Sequence, residues 1–147
     1  MSDARSPYLG VDVGTKRIGV ATSDAGGDFA FPKETVEARP RTAAAERIKA
    51  LADELGTHTI VVGWPLTLEG DEGRAVDRVK AFVEQLREAY GGDDAEMPEI
   101  IEWDERMTTT AAESFLIGAD VRRERRKEVV DQIAASHILK GYLDSLG

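Results

Sequence analysis

The chain contains no cysteine, which excludes disulfides, thiolate-bound metals and a cysteine nucleophile. It has only two histidines, His58 and His137, so a zinc site built on several imidazoles is excluded too. Any metal would be held by oxygen, which suits Mg2+ or Mn2+. No apolar run approaches membrane-spanning length, and the stretch from Met1 to Pro7 is polar and charged, with no apolar signal core. The expectation is a cytoplasmic protein without a membrane partner, with a flexible tail over residues 1–7. Basic residues are also short: 19 Lys and Arg against 28 Asp and Glu give a net charge of -9. That balance points away from nucleic acid, because phosphate contacts are made chiefly by Lys and Arg.

What is present fits one folded domain over residues 1–147. A hydrophobic content of 41% with 32% charged residues is that of a globular chain. The basic residues are unevenly spread. Lys16 and Arg17 stand together, and Arg122, Arg123, Arg125, Arg126 and Lys127 form a cluster that reads as a solvated loop. Distribution can outweigh the sum, so the acidic total does not close the nucleic-acid question.

The run from Leu9 to Ala21 holds the most telling residue. Leu9, Val11 and Val13 share one face of a strand at the two-residue period, and Asp12 points the other way between Gly10 and Gly14. An anion is expensive to bury unless something pairs with it. The flanking glycines read as room for a cation and a phosphate.

Tyr8 to Val13, Arg17 to Ser23 and Phe29 to Val36 read as three strands joined by turns, in antiparallel hairpins. The period then changes. Ala44, Ile48, Leu51, Ala52 and Leu55 form a helical face ending at Gly56, and Ile60 to Val62 is an apolar run typical of a central strand. Ala75, Val79, Phe82, Val83 and Leu86 make a second helical stripe, followed by a strand with Ile100, Ile101 and Trp103. A short helix over Thr110 to Ile117 and a long one from about Glu128 to Leu146 complete the chain. The order implies an α/β fold: a mixed sheet, three antiparallel strands followed by two parallel ones, with helices on both faces. Gly63 to Gly73 reads as a long loop.

Sites in open α/β sheets lie beyond the carboxyl ends of the central strands. There the first strand delivers Asp12, and the strand with Ile100 and Ile101 delivers Asp104 and Glu105. Either of the latter pair would also suit the start of a helix as a dipole partner. Asp131 lies in line with Ala135, Ile138 and Tyr142, on or beside an apolar stripe. Two bare carboxylates about 4 Å apart repel by roughly 4 kcal/mol at an effective dielectric of about 20. A divalent cation removes that repulsion, and hydrolysis of a phosphodiester is the chemistry that best uses such a cluster.

Four ordered motifs carry a family resemblance: Val11 to Ala21; Gly63-Trp64-Pro65-Leu66 with Gly70; Asp104 to Thr109; and Lys127 to Asp131 with Ala134, Ala135, Ile138 and Leu139. From about Tyr8 to Leu146 the chain resembles the YqgF (RuvX) family. That resemblance implies an RNase H-like fold and a nuclease related to Holliday-junction resolvases. It also implies a role in maturing the 5′ end of the small-subunit ribosomal RNA precursor, or in cleaving branched or single-stranded DNA. Asp12, Glu105 and Asp131 would be the metal-binding catalytic acids, using Mg2+ or Mn2+, with Asp104 as the rival to Glu105. The chain departs mildly from the family pattern: Trp64 and Met107 replace a commoner leucine, and Leu68-Glu69 replaces methionine with Asp or Asn.

Lys16, Arg17 and Arg106 stand beside these acids in the sequence and are placed to contact substrate phosphates, with a surface salt bridge as the alternative for each. Thr15 and Thr108 can position a phosphate or serve turn and cap. Trp64 offers either a stacking surface or a core plug, while His137 reads as structural and His58 as exposed. Two rival functions have sequence features of their own. A non-catalytic nucleic-acid-binding assembly factor would keep the fold without cutting. An actin-like ATP-binding module shares the Asp-Val-Gly-Thr motif, although the chain is short for that architecture and has no second phosphate loop.

Overall fold

A computed structural model describes residues 6–66, 73–92, 97–105 and 123–146. Five strands form one sheet: β1 (Leu9–Val13), β2 (Arg17–Ser23), β3 (Ala30–Glu37), β4 (Thr59–Trp64) and β5 (Glu99–Asp104). Their order is β3-β2-β1-β4-β5, with β1, β2 and β3 antiparallel and β1, β4 and β5 parallel. Helices α1 (Arg41–Leu55) and α2 (Arg74–Ala89) cover one face, and α3 (Arg123–Leu146) covers the other. The α/β architecture with helices on both faces is therefore the one that the periodicities imply.

The two-residue period of β1 explains the two layers. Leu9, Val11 and Val13 turn into the larger core with Ile48, Leu51, Phe82 and Leu86 of α1 and α2. Parallel strand β4 is apolar on both faces: Ile60 and Val62 join that core, while Val61 joins Ala135, Ile138 and Leu139 under α3. Helix α1 ends where Gly56 takes a left-handed conformation, at φ 67°, and its amide donates to the last-turn carbonyl of Asp53.

Several expectations need correction. The buried stripe of α2 runs through Val76, Val79, Phe82, Val83 and Leu86, so Val76 takes the place assigned to Ala75. Gly63 and Trp64 belong to β4 and do not open a loop; Trp64 is a buried core residue with no face for a base. Helix α3 begins at Arg123, ahead of Glu128, because a run of Arg, Glu and Lys favours helix. Residues 123–127 of the basic cluster are thus helical. The expected helix over Thr110 to Ile117 lies outside the described residues.

Glycines set the distance between α3 and the sheet. A Cβ added at Gly10 would lie 2.7 Å from the Leu139 Cβ and 2.9 Å from the Ala135 carbonyl oxygen. At Gly19, paired with Asp12 across β1 and β2, it would lie 1.9 Å from the Asp131 carbonyl oxygen. Both obstacles include backbone, which cannot rotate aside. The space beside Asp12 at Gly10 is therefore filled by α3, and at Gly14 by the β1–β2 turn, where the Gly14 amide donates to the Arg17 carbonyl at 2.9 Å. Gly10 thus holds no room open for a cation or a phosphate, whereas Gly14 also lines a cavity on the other face of the sheet. Gly19→Ala is expected to lose about 1–3 kcal/mol of stability as α3 is pushed off the sheet, measured by urea unfolding; stability equal to wild type would contradict this packing.

Candidate active site

The carboxyl ends of β1 and β5 are two strands apart, with β4 between them. Asp12 lies on the α3 face of β1, opposite Gly19. Glu105 follows β5, and its carboxylate crosses over β4 at Gly63: a Cβ on that glycine would meet the Glu105 Oε2 at 2.7 Å. The absent side chain at Gly63 is what lets Glu105 reach inward toward Asp12. Ile138 of α3 presses on the same point from above, with its Cδ1 also 2.7 Å from that position.

Both acids are held in partly protonated form at neutral or mildly acid pH by burial and neighbouring charge. Burial, then the nearby Asp131 charge, pushes the Asp12 carboxyl up from its usual 3.8 to about 6, with Arg78 pulling the other way. Burial, then the Asp12 charge, pushes Glu105 from 4.5 to about 7; Arg78 again opposes this, and Asp104 adds to it. Between the sequence rivals, Glu105 is the acid that the Asp12 charge acts upon, and the Asp104 charge adds to that effect.

Asp131 projects from α3 and is held by Arg17, whose Nε donates to its Oδ2 at 2.7 Å with both side chains partly buried. Helix and strand are thereby tied at the point where Gly19 admits the Asp131 backbone. Arg17 is consequently a clamp on an acid of the cluster. Lys16 is exposed in the β1–β2 turn. Arg106 and Thr108 lie outside the described residues, as does most of the Gly63 to Gly73 loop. His58 is exposed and His137 partly buried on α3.

Arg78 was not distinguished by the sequence. It lies on α2 four residues before the core residue Phe82, on the border of the apolar stripe, and its Nε is buried without a hydrogen-bond partner. That border position was the available signal.

All the nearby donors are carboxylate oxygens, the chemistry a hard cation requires. Burial first, and neighbouring negative charge second, holds Asp12 and Glu105 above their ordinary proton affinity, so positive charge placed between them would favour their ionised forms. Among the described residues no three His, Cys, Asp or Glu side chains stand close enough to hold an ion, Asp131 being turned to Arg17. The fit thus rests on Asp12 and Glu105, with Asp131 adjacent.

The fold is shared with resolvases of known structure. T. thermophilus RuvC in complex with Holliday junction substrate superposes with a TM-score of 0.58 at 12% identity, over 95% of this chain and 96% of that one. The fowlpox virus Holliday junction resolvase gives 0.54 at 12% identity, over 96% and 99%. These likenesses define an RNase H-like fold. Residues 6–145 match the family model described as "RuvX: Holliday junction resolvase", and the chain belongs to that family. Among curated relatives, proteins named "Putative pre-16S rRNA nuclease" are 46% identical in Halalkalibacterium halodurans, over 92% of this chain and 94% of the relative, and 43% identical in Geobacillus thermodenitrificans, over 93% and 96%.

The raised carboxyls fix a sign for stability. The folded protein keeps the Asp12 proton up to about pH 6, whereas the unfolded chain loses it near 3.8. Folding takes up a proton between those values, so wild-type stability falls as the pH rises through that window. Asp12→Asn is expected to be more stable than wild type by about 1–3 kcal/mol at pH 8 in EDTA. The gain should vanish below pH 4 in urea titrations; a variant less stable at pH 8 would contradict the electrostatic account.

Proposed function

We propose that this protein is a nuclease that hydrolyses phosphodiester bonds with Mg2+ or Mn2+, with the precursor of 16S ribosomal RNA as its principal substrate. The observation that carries the reading is the Glu105 carboxylate lying over the bare backbone of Gly63, within electrostatic reach of Asp12. Two partly buried acids held above their ordinary proton affinity, Asp12 by burial and the Asp131 charge and Glu105 by burial and the Asp12 charge, destabilise the apo fold. Such an arrangement is retained where a cation is to be bound. The divalent ion, when present, supplies polarisation of a phosphoryl oxygen and activation of a water.

The chain's own residues supply the rest. Asp12 and Glu105 offer the oxygen donors, and the rigid β1, with β4 beneath Glu105, limits their movement. Asp131, oriented by Arg17, completes the acidic face. In this reading Arg17 has a positioning role, and Lys16 and Arg106 supply the direct phosphate contacts expected of them. The names of the curated relatives favour RNA over branched DNA, and a ribosomal precursor agrees with a cytoplasmic location.

Cleavage of a 5′-extended 16S precursor with Mg2+ or Mn2+, beside single-stranded DNA and four-way junctions, tests this directly. Asp12→Asn and Glu105→Gln should each lower the rate about 100-fold or more while leaving circular dichroism unchanged, and Asp104→Asn should cut nearly as well as wild type. Full activity in Asp12→Asn would end the proposal.

A further inference from the structure

On the other face of the sheet, beyond the carboxyl end of β1, lies a cavity of about 560 Å³. Its floor is core: Val13, Ile18 and Phe82. Its walls carry Thr15 and three arginines, Arg39 and Arg41 at the start of α1 and Arg78 from α2. Three guanidinium groups around one cavity stand out in a chain of net charge -9. No carboxylate is among the lining residues described. Arg17 is paired with Asp131, Arg47 with Glu34 and Arg87 with Glu84, whereas among the described residues Arg39, Arg41 and Arg78 form no ion pair. The buried Nε of Arg78 has no acceptor, and such a charged donor is costly to leave unmade.

The backbone adds to the same field. The first turn of α1 borders the cavity through Pro40 and Arg41, has no side-chain cap and contains no acidic residue. Its amides and the positive end of the helix dipole therefore remain available to an anion. Phe82 is only 2% exposed, so the cavity offers charge and hydrogen bonds but no ring on which a base could stack. Oxyanions suit it, and bases do not. Arg78 also lies within electrostatic reach of Asp12 and Glu105, which joins the cavity to the acidic cluster.

We propose that this cavity is a phosphate site, in which Arg39, Arg41 and Arg78 seat an internal phosphodiester of the substrate strand next to the one being cut; the placement rests on the nuclease reading above. Contacts to phosphate fix register and carry no base information. The site thus positions a strand irrespective of its sequence.

Fluorescence anisotropy of a short labelled single-stranded RNA, with and without a 5′-phosphate, in EDTA over a range of salt, tests it. Arg78→Gln probes the buried contact, and Arg41→Ala, at an exposed helix start, keeps the test valid if the former fails to fold. Each should weaken binding about tenfold and flatten the slope of log affinity against log salt by about 0.7, equally for both RNAs. Unchanged affinity and slope would overturn the site, and a loss confined to the 5′-phosphorylated RNA would overturn its assignment to an internal diester. Wild-type cleavage of the same RNA with Mg2+ or Mn2+ reads the other proposal separately. Weakened binding without any cleavage keeps the phosphate site and removes the nuclease, while cleavage with unaltered binding does the reverse.

Discussion

The carbonyl oxygen of Asp131 sits where a side chain on Gly19 would begin, and the acidic cluster depends on that approach. Gly19 is the cross-strand partner of Asp12, so the contact that seats α3 also sets how near Asp131 comes to the first acid. Gly10 does the same further along the helix, against Ala135 and Leu139, and Gly63 extends the cleared strip to β4. Close packing of a helix on a sheet and the assembly of a reactive cluster are here one requirement. Packed interiors relax only partly, so a methyl group placed on this strip would move the carboxylates as well as the helix.

Electrostatics then works against the fold that sterics has built. Asp12 and Glu105 are driven toward their protonated forms chiefly by burial and then by neighbouring negative charge. The protein opposes this from two directions. Arg17 neutralises Asp131 from the β2 side, and Arg78 lowers the proton affinity of both Asp12 and Glu105 from α2. Neither arginine joins Asp12 or Glu105 in a direct ion pair. Full pairing would have stabilised the carboxylates at the expense of their oxygens, which a cation needs free. The partial compensation leaves the cluster folded yet short of positive charge.

Much of this was legible in the chain because two periods dominate it. Strand β2 spans the residues that its alternation marks, α1 stops at Gly56, and Asp12 declares itself as a carboxylate among valines. The errors share a physical origin. Glycine has no side chain to reveal what fills its space, so Gly10 read as room for a ligand although α3 occupies it, and Gly63 read as loop although it is a strand residue under Glu105. Arg78 escaped notice because a charged residue on an amphipathic helix ordinarily faces water. Its position four residues from Phe82 brings a long, half-apolar side chain along the edge of the core to the sheet end. Asp104 and Glu105 are equivalent in the sequence, and the lie of the Glu105 carboxylate over Gly63 becomes visible only with the neighbouring strand in place.

An acidic protein that handles a polyanion poses an apparent contradiction, and its resolution is local. Exposed charges more than about 10 Å apart are largely screened at ordinary ionic strength, so a strand near the carboxyl end of β1 responds to the charges there and little to the total. Around that end the chain places Lys16, Arg39, Arg41 and Arg78. The surplus of acid elsewhere then has a use. It disfavours adhesion of nucleic acid to the acidic parts of the surface and so favours contact where cations gather beside the carboxylates. Net charge describes what the whole molecule repels, and the few uncompensated arginines describe where a phosphate can come to rest.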